Sequence, residues 1–349
     1  MKIAHIVWAF ETGGIETMLV NIANEQVKLG ETVRLYIINN LYEQALLDRF
    51  DARIKVVKIG RKPGGRNPLP FIKLNTLLAC FNPDVIHCHI YSIINILFHS
   101  LQSRCVLTRH TTGKLGSADT KNLKKYRQVY AISDIVSDNL SENYGIKSIV
   151  VKNGILVSAF SQRKYHLPSH PFRVISTGRL LVEVKGQDVL IRAMSLLPEL
   201  DIHLDIVGSG PDEEMLSLLI KQLNQEERIT IRGNWTQPYL FNHLCDYDLF
   251  VMASNYEGFG LTTIEASAAM LPLVVSNVEG PKEITENGRY GHLFKAGEAK
   301  SCADAIRLVY DNYDDEDSLR QSYRHICKLY DVKQTAQKYV SLYRKLIEQ

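Results

Sequence analysis

Leu249-Phe250-Val251-Met252, then Ala253-Ser254-Asn255-Tyr256-Glu257-Gly258-Phe259-Gly260, then Leu261-Thr262-Thr263-Ile264-Glu265-Ala266-Ser267-Ala268-Ala269 reads as strand, loop and helix in succession. Four apolar residues in a row form a short buried strand, and the segment from Leu261 has the composition of a helix. Gly258 and Gly260 let the loop backbone approach a ligand closely. The first turn of the helix leaves free N–H groups that attract an anion such as phosphate. Glu257 stands at the mouth of the loop and Glu265 about one turn into the helix. Each carboxylate can accept from two O–H donors, which suits the hydroxyls of a ribose or a sugar. The apolar neighbours Ile264, Ala266 and Ala268 disfavour a solvated position for Glu265.

The same strand-loop-helix unit recurs in both directions. Strands are expected at Lys2–Trp8, Thr32–Ile38, Ile54–Lys58, Val85–His87, Cys105–Thr108, Gln128–Ala131 and Ile149–Val151. Further on they are expected at Phe172–Thr177, Leu204–Val207, Ile229–Ile231 and Leu273–Ser276. Helices fall between them. Ile15, Met18, Leu19, Ile22 and Ala23 keep the spacing of an amphipathic helix that Gly30 closes. Others are expected at Asp134–Asn143, Gln187–Leu197, Asp212–Leu223, Ala299–Tyr310, Asp315–Lys328 and Val332–Glu348. Such alternation means parallel sheets with helices on both faces, binding ligands at the carboxyl ends of the strands. A chain of 349 residues suggests two domains at roughly 150 residues each. The rhythm pauses at residues 158–171, polar and with two prolines, which is the expected linker. The expected domains are therefore 1–160 and 161–331, with the helix at about 332–349 returning to the first.

Composition narrows the class. The chain is 45% hydrophobic and 23% charged, as a globular protein is. It has no apolar run long enough to span a membrane and no cleavable leader pattern. The six cysteines form no Cys-x-x-Cys pair, so neither a zinc ribbon nor a redox dithiol is indicated, and reduced thiols in the cytoplasm are expected. Residues 1–160 carry 20 Lys+Arg against 12 Asp+Glu, a net +8, and the remainder is −5. Without basic-aromatic repeats this does not point to nucleic acid. The positive charge is concentrated at Arg61, Lys62 and Arg66, read as a flexible loop, and at Lys121, Lys124 and Lys125, read as one face of a helix.

Other candidates lie just past strand ends. Gly13 and Gly14 open the first helix. Gly178-Arg179 precedes Lys185-Gly186, placing two cations on one loop that can grip a diphosphate. Gly208-Ser209-Gly210 is half of a dinucleotide loop, and the full fingerprint is absent. Asp246-Tyr247-Asp248 mimics a metal-diphosphate site but leads into a strand, at the wrong end of a parallel sheet. His87-Cys88-His89 has ligand-type residues but no third ligand in sequence, which favours a structural or pocket-lining role. No metal is expected.

Glu257 and Glu265 within Ser-x-x-Glu-Gly-Phe-Gly-Leu-x-x-Ile-Glu-Ala resemble the signature of retaining glycosyltransferases of the GT-B fold, the family-4 or group 1 class. Gly13-Gly14-x-Glu16, Pro83-Asp84-Val85-Ile86-His87-Cys88-His89 and Thr108-Arg109-His110 resemble other pieces of that family in its order. So do Ala131-Ile132-Ser133, Asn153-Gly154-Ile155, Gly178-Arg179 with Lys185-Gly186, Val207-Gly208-x-Gly210-Pro211 and Glu283-Ile284. The chain departs at Leu271-Pro272, where the family has Gly-Pro, and at Glu279-Gly280, where it has Gly-Gly.

The resemblance implies an α/β protein of two doubly wound Rossmann-like domains facing a central cleft. It implies transfer of a sugar from a UDP- or GDP-sugar, with no other cofactor, to a saccharide or lipid-linked saccharide in bacterial lipopolysaccharide or capsule synthesis. Glu257, His110, Arg179 and Lys185 would be catalytic. Gly13, Gly14, Arg179, Lys185, Gly208, Gly258, Phe259, Gly260, Leu261, Thr262 and Glu265 would bind the donor, with Glu265 on the ribose. The basic surface would rest on an anionic membrane. A nucleotide-sugar epimerase of the same fold and a non-catalytic sugar-binding protein remain open as alternatives.

Overall fold

The computed structural model describes residues 1–11, 13–165, 167–168 and 171–348. The chain divides into two compact units, Met1–Ile155 with Asp331–Gln349, and Leu156–Tyr330.

The first unit is built on a seven-stranded sheet. Its strands are β1 (Lys2–Val7), β2 (Thr32–Asn39), β3 (Lys55–Arg61), β4 (Val85–Cys88), β5 (Cys105–Arg109), β6 (Gln128–Ala131) and β7 (Ile149–Val150). They are all parallel, in the order β3-β2-β1-β4-β5-β6-β7. The direction of winding reverses between β1 and β4, where the loops after the two strands diverge and leave a crevice. Helices cover both faces, so β1 and β4 are buried almost throughout, as a parallel sheet requires. Helix Asp134–Tyr144 illustrates how the sequence punctuates an element. The Ser133 hydroxyl accepts from the Val136 N–H at 3.3 Å, and Gly145 ends the helix at φ 63°. The last helix, Val332–Glu348, packs on helix Gly14–Lys28. Its Tyr339 and Tyr343 are fully buried, and Arg344 pairs with Glu31 at 2.6 Å.

The second unit has six parallel strands: β8 (Phe172–Thr177), β9 (Ile202–Val207), β10 (Ile229–Gly233), β11 (Leu249–Met252), β12 (Leu273–Ser276) and β13 (His292–Phe294). Their order is β10-β9-β8-β11-β12-β13, so the reversal falls between β8 and β11. Both four-residue strands, β11 and β12, are wholly buried. β13 was not expected: three residues after Gly291 are too short to show a period.

Two expectations change at this level. The units part at Ile155/Leu156, ahead of the polar stretch at 158–171. That stretch is anchored rather than free. Phe160 packs on Phe241 with ring centroids 4.5 Å apart, and the buried Arg163 guanidinium pairs with Asp248 at 2.6 Å. A buried ion pair looks polar in sequence although it is interior. His166, Ser169 and His170 of that stretch lie outside the described residues. The second change concerns the basic surface. Arg61 ends β3 instead of lying in the loop, and donates to Asn39 Oδ1 at 2.9 Å and Gly65 O at 3.0 Å. The helix carrying Lys121 stops at Leu123, so Lys124 and Lys125 lie past its end and the three lysines do not share a helical face. Lys125 instead donates to Asn95 Oδ1 at 2.8 Å.

Candidate active site

The loop after β8 and the loop after β11 leave their sheet at its switch point, and the backbone stitches them together. Asn255 and Tyr256 N–H both donate to Val184 O, at 2.9 and 3.1 Å. A Cβ on Gly186 would come within 2.1 Å of Ala253 O. The consequence is a direct contact between two candidates assigned separate tasks: Lys185 Nζ donates to Glu257 Oε2 at 2.5 Å. Both are partly buried, 26% and 16% exposed, so each offsets much of the other's desolvation cost. Arg179 is exposed on the same loop, and its carbonyl is held by Gln187 Nε2 at 2.8 Å.

Gly260 caps helix Leu261–Ala268 at φ 94°, a left-handed conformation that favours glycine. It turns the chain so that the free N–H groups at Leu261 and Thr262 begin at the loop mouth. Nothing lies within 4 Å of a Cβ placed on Gly258, which leaves that side of the backbone open to a ligand. Phe259 is buried against Tyr330 and supports the loop from below. Glu265 is half-buried beside the apolar residues of its helix, and desolvation pushes its carboxyl up to about 7. Among the described residues no donor is positioned on that carboxyl, so it is free to accept from a ligand.

Gly208 takes a different part from the one expected. Its Cα abuts the β8 loop, where a Cβ would fall 1.9 Å from Gly178 O. This glycine is required for two loops to nest backbone to backbone, and its nearest neighbour is protein. Gly13 caps helix Gly14–Lys28 in an extended conformation, so only its small size matters there. Thr12, just before it, is outside the described residues.

The first unit brings together a cluster that the sequence showed only in part. His5 on β1 and His87 on β4 are register partners on adjacent strands, and His89 follows β4 directly. Nitrogens of these three buried rings lie within 4.8 Å of one another, so the third ligand-type residue exists and comes from β1. The rings are nonetheless already engaged with each other and with protein. His87 and His89 stack at 4.4 Å. His87 Nδ1 lies 2.6 Å from Tyr343 OH, and its Nε2 lies 2.7 Å from Thr108 Oγ1. His110, after β5, places Nε2 3.3 Å from His89 Nδ1. Burial lowers the pKa of all four rings, to about 4 for His5 and about 3 for His110. All four are therefore neutral near pH 7.

Asp248 spends its oxygens on Arg163 Nη2 and on Arg173 N–H, at 2.6 and 2.8 Å, and Asp246 pairs with His243 at 2.8 Å. Both act as structural groups at the amino end of β11.

Residues 12–158 match the profile described as Glycosyltransferase Family 4, and residues 157–325 that of Glycosyl transferases group 1. The chain belongs to the group 1 glycosyltransferases. A mannosylfructose-phosphate synthase of Agrobacterium fabrum is 28% identical over 351 residues, covering 81% of this chain and 75% of that protein. A lipopolysaccharide core biosynthesis glycosyltransferase of Rhizobium meliloti, LpsE, is 33% identical over 160 residues, covering 45% of each. Among solved structures, Anabaena HepE in complex with UDP and glucose superposes with a TM-score of 0.77 at 19% identity, covering 99% of this chain and 100% of that one. The fold is accordingly GT-B. In this glycosyltransferase, no described helix is long and apolar enough to cross a membrane.

Proposed function

We propose that this glycosyltransferase moves a sugar from a nucleoside diphosphate donor to a saccharide or lipid-linked saccharide, with retention of anomeric configuration, in the assembly of a bacterial surface polysaccharide. One observation carries the reading: the loops after β8 and β11 place Lys185, Glu257 and the start of helix Leu261–Ala268 together at the switch point. When a glycosidic bond to a diphosphate breaks, negative charge develops on the β-phosphate. Arg179, Lys185 and the N–H groups at Leu261 and Thr262 are the groups that would receive it. Each contact that strengthens in the transition state contributes about 2.7–4 kcal/mol, by analogy with oxyanion-hole donors. With that stabilisation from the protein, the reaction would need no metal.

Glu265 would hold the ribose diol, and Glu257 the donor sugar once the diphosphate draws Lys185 away. His110 would line the sugar pocket. Among the described residues of these loops Glu257 is paired with Lys185 and Glu265 is assigned to the ribose, so front-face attack is the route proposed, with the leaving phosphate taking the acceptor proton. HepE was solved with UDP and glucose, which supports a uridine donor. LpsE acts in lipopolysaccharide core synthesis, which supports a surface-polysaccharide acceptor. The exposed cations Lys62, Arg66, Lys121, Lys124 and Lys125 would rest on the cytoplasmic face of an anionic membrane.

The deciding experiment is a thermal-shift screen of UDP, GDP, ADP and their sugars, followed by incubation of the selected sugar with candidate acceptors. A ligand at 100 times its Kd adds about 2.7 kcal/mol. A glycosylated product with the donor's anomeric configuration is expected. An epimerised free sugar nucleotide, or a bound donor left intact with every acceptor, would overturn the reading.

A further inference from the structure

Among the buried polar groups of the first unit, four form an unbroken series. Gln26 Oε1 lies 2.8 Å from His5 Nε2. His5 Nδ1 lies 3.1 Å from His89 Nε2. His89 Nδ1 lies 3.3 Å from His110 Nε2. His110 Nδ1 is shielded from water and meets no protein partner. We propose that Gln26, His5 and His89 form a hydrogen-bonded wire that fixes His110 as its Nε2–H tautomer, so that His110 Nδ1 is presented as an acceptor for a substrate hydroxyl. The last step rests on the assignment of His110 to the sugar pocket; the wire itself does not.

The polarity follows from valence. A neutral imidazole has one donor nitrogen and one acceptor nitrogen, and the low pKa values of these buried rings keep them neutral. An amide oxygen only accepts, so His5 Nε2 carries the proton and His5 Nδ1 the lone pair. His89 must then donate from Nε2 and accept at Nδ1. His110 must in turn donate from Nε2, leaving the Nδ1 lone pair unused. Turning the Gln26 amide over would reverse every step. The amide stands with Oε1 towards His5 at 2.8 Å and with Nε2 turned away, without a hydrogen-bond partner in the protein, and this placement sets the polarity.

The wire is not a proton conduit. It ends at Gln26, which is fully buried and does not titrate. A chain of neutral rings with a fixed acceptor at its blind end has one function left, which is to choose the tautomer at its open end. Fixing the tautomer of a functional imidazole through the bond its other nitrogen makes is a general device. Gln26, His5 and His89 are positioning residues in this sense.

The test is long-range proton–nitrogen correlation NMR on the full chain with 15N-labelled histidine at pH 7, without substrate, with His110 assigned by the signal that His110→Asn removes. The expected result is a single His110 tautomer with the proton on Nε2. In His89→Phe and Gln26→Met, which keep volume but remove the wire's middle and its end, His110 is expected to populate both tautomers. Circular dichroism and melting confirm that each variant is folded. If one variant fails to fold, the other carries the test. A proton on His110 Nδ1 in the wild type, or a tautomer unmoved in both folded variants, would overturn the proposal. With the tautomer no longer fixed, turnover in either variant is expected to fall about tenfold or more. The NMR readout needs no substrate, so it fails only if the wire is wrong. Full sugar transfer by His110→Ala would instead count against the pocket assignment.

Discussion

Glu265 shows how one half-buried group couples donor binding to pH. Its carboxyl titrates near 7 because burial penalises the charged form, while a ribose diol prefers the carboxylate, which accepts from both hydroxyls. Donor binding must therefore displace a proton whenever the pH is below about 7. Affinity for the intact nucleotide sugar should weaken by up to tenfold per pH unit on going from pH 7 to pH 5.5, and should be flat over the same range in Glu265→Gln. Calorimetric titration at several pH values measures this, and an equal slope in the variant would remove Glu265 from the ribose site. The Lys185–Glu257 contact makes a second demand. Lys185→Ala should cut turnover about a hundredfold, on the scale of one lost oxyanion donor, and it also strands a partly buried carboxylate. In a double-mutant cycle of Lys185→Ala and Glu257→Ala, the melting effects should therefore be non-additive, by about 0.5–3 kcal/mol. Simple additivity would mean that the 2.5 Å pair is not formed in solution.

The elements divide into those whose rules are local and those whose rules are not. The strands and long helices were legible because burial on two faces imposes apolar runs, and because Ser133 and Gly145 mark helix ends in the sequence itself. The β11 loop and its helix were legible for the same reason, since the glycines and the helix start are contiguous. The Lys185–Glu257 pair, 72 residues apart, depends on which loops meet at a switch point, and strand order is not written in either loop. Likewise the polar stretch around Arg163 looked like a linker because its partner Asp248 lies 85 residues away. The histidine cluster was half visible. His87 and His89 showed as a motif, and the missing signal was His5, a polar residue among the apolar residues Ile3, Ala4, Ile6 and Val7 of strand β1. These strands also fix the response to acid. In the unfolded chain each histidine titrates at 6.5, whereas His5 and His110 do so at about 4 and about 3 when folded. The unfolded state thus binds more protons below pH 6.5, and stability present above that value falls as the pH drops towards 4. The loss is about 1.4 kcal/mol per pH unit for each such ring. Thermal melts should drop steeply between pH 6.5 and 5. A melting temperature that stays level across this window would show that the rings are not held neutral.

At the scale of the whole molecule, the charge division sharpens once the true units are known. The returning helix adds Lys333, Lys338, Arg344 and Lys345 against Asp331 and Glu348, so the first unit carries +10 and the second −7. Lys62, Arg66, Lys121, Lys124 and Lys125 are all exposed, whereas Arg61 is drawn into the strand end. A cation near an anionic bilayer contributes about 1 kcal/mol. Five acting together would raise binding by about 10³–10⁴-fold, since each 1.4 kcal/mol is tenfold, and no inserted helix is needed. This attraction is screened over about 10 Å at 0.1 M salt and about 3 Å at 1 M. Full-length protein should therefore float with phosphatidylglycerol-rich liposomes at low salt and be released at 1 M. Changing Lys121, Lys124 and Lys125 together to Glu should abolish flotation while leaving hydrolysis of the nucleotide sugar unchanged, because none of the three belongs to the β8–β11 loops. The acidic second unit would gain nothing from the same surface, so isolated neutral liposomes serve as the matched control. If the wild type stays in the soluble fraction with anionic liposomes even at low salt, the basic surface is only a solvated one, and a soluble saccharide becomes the acceptor to pursue.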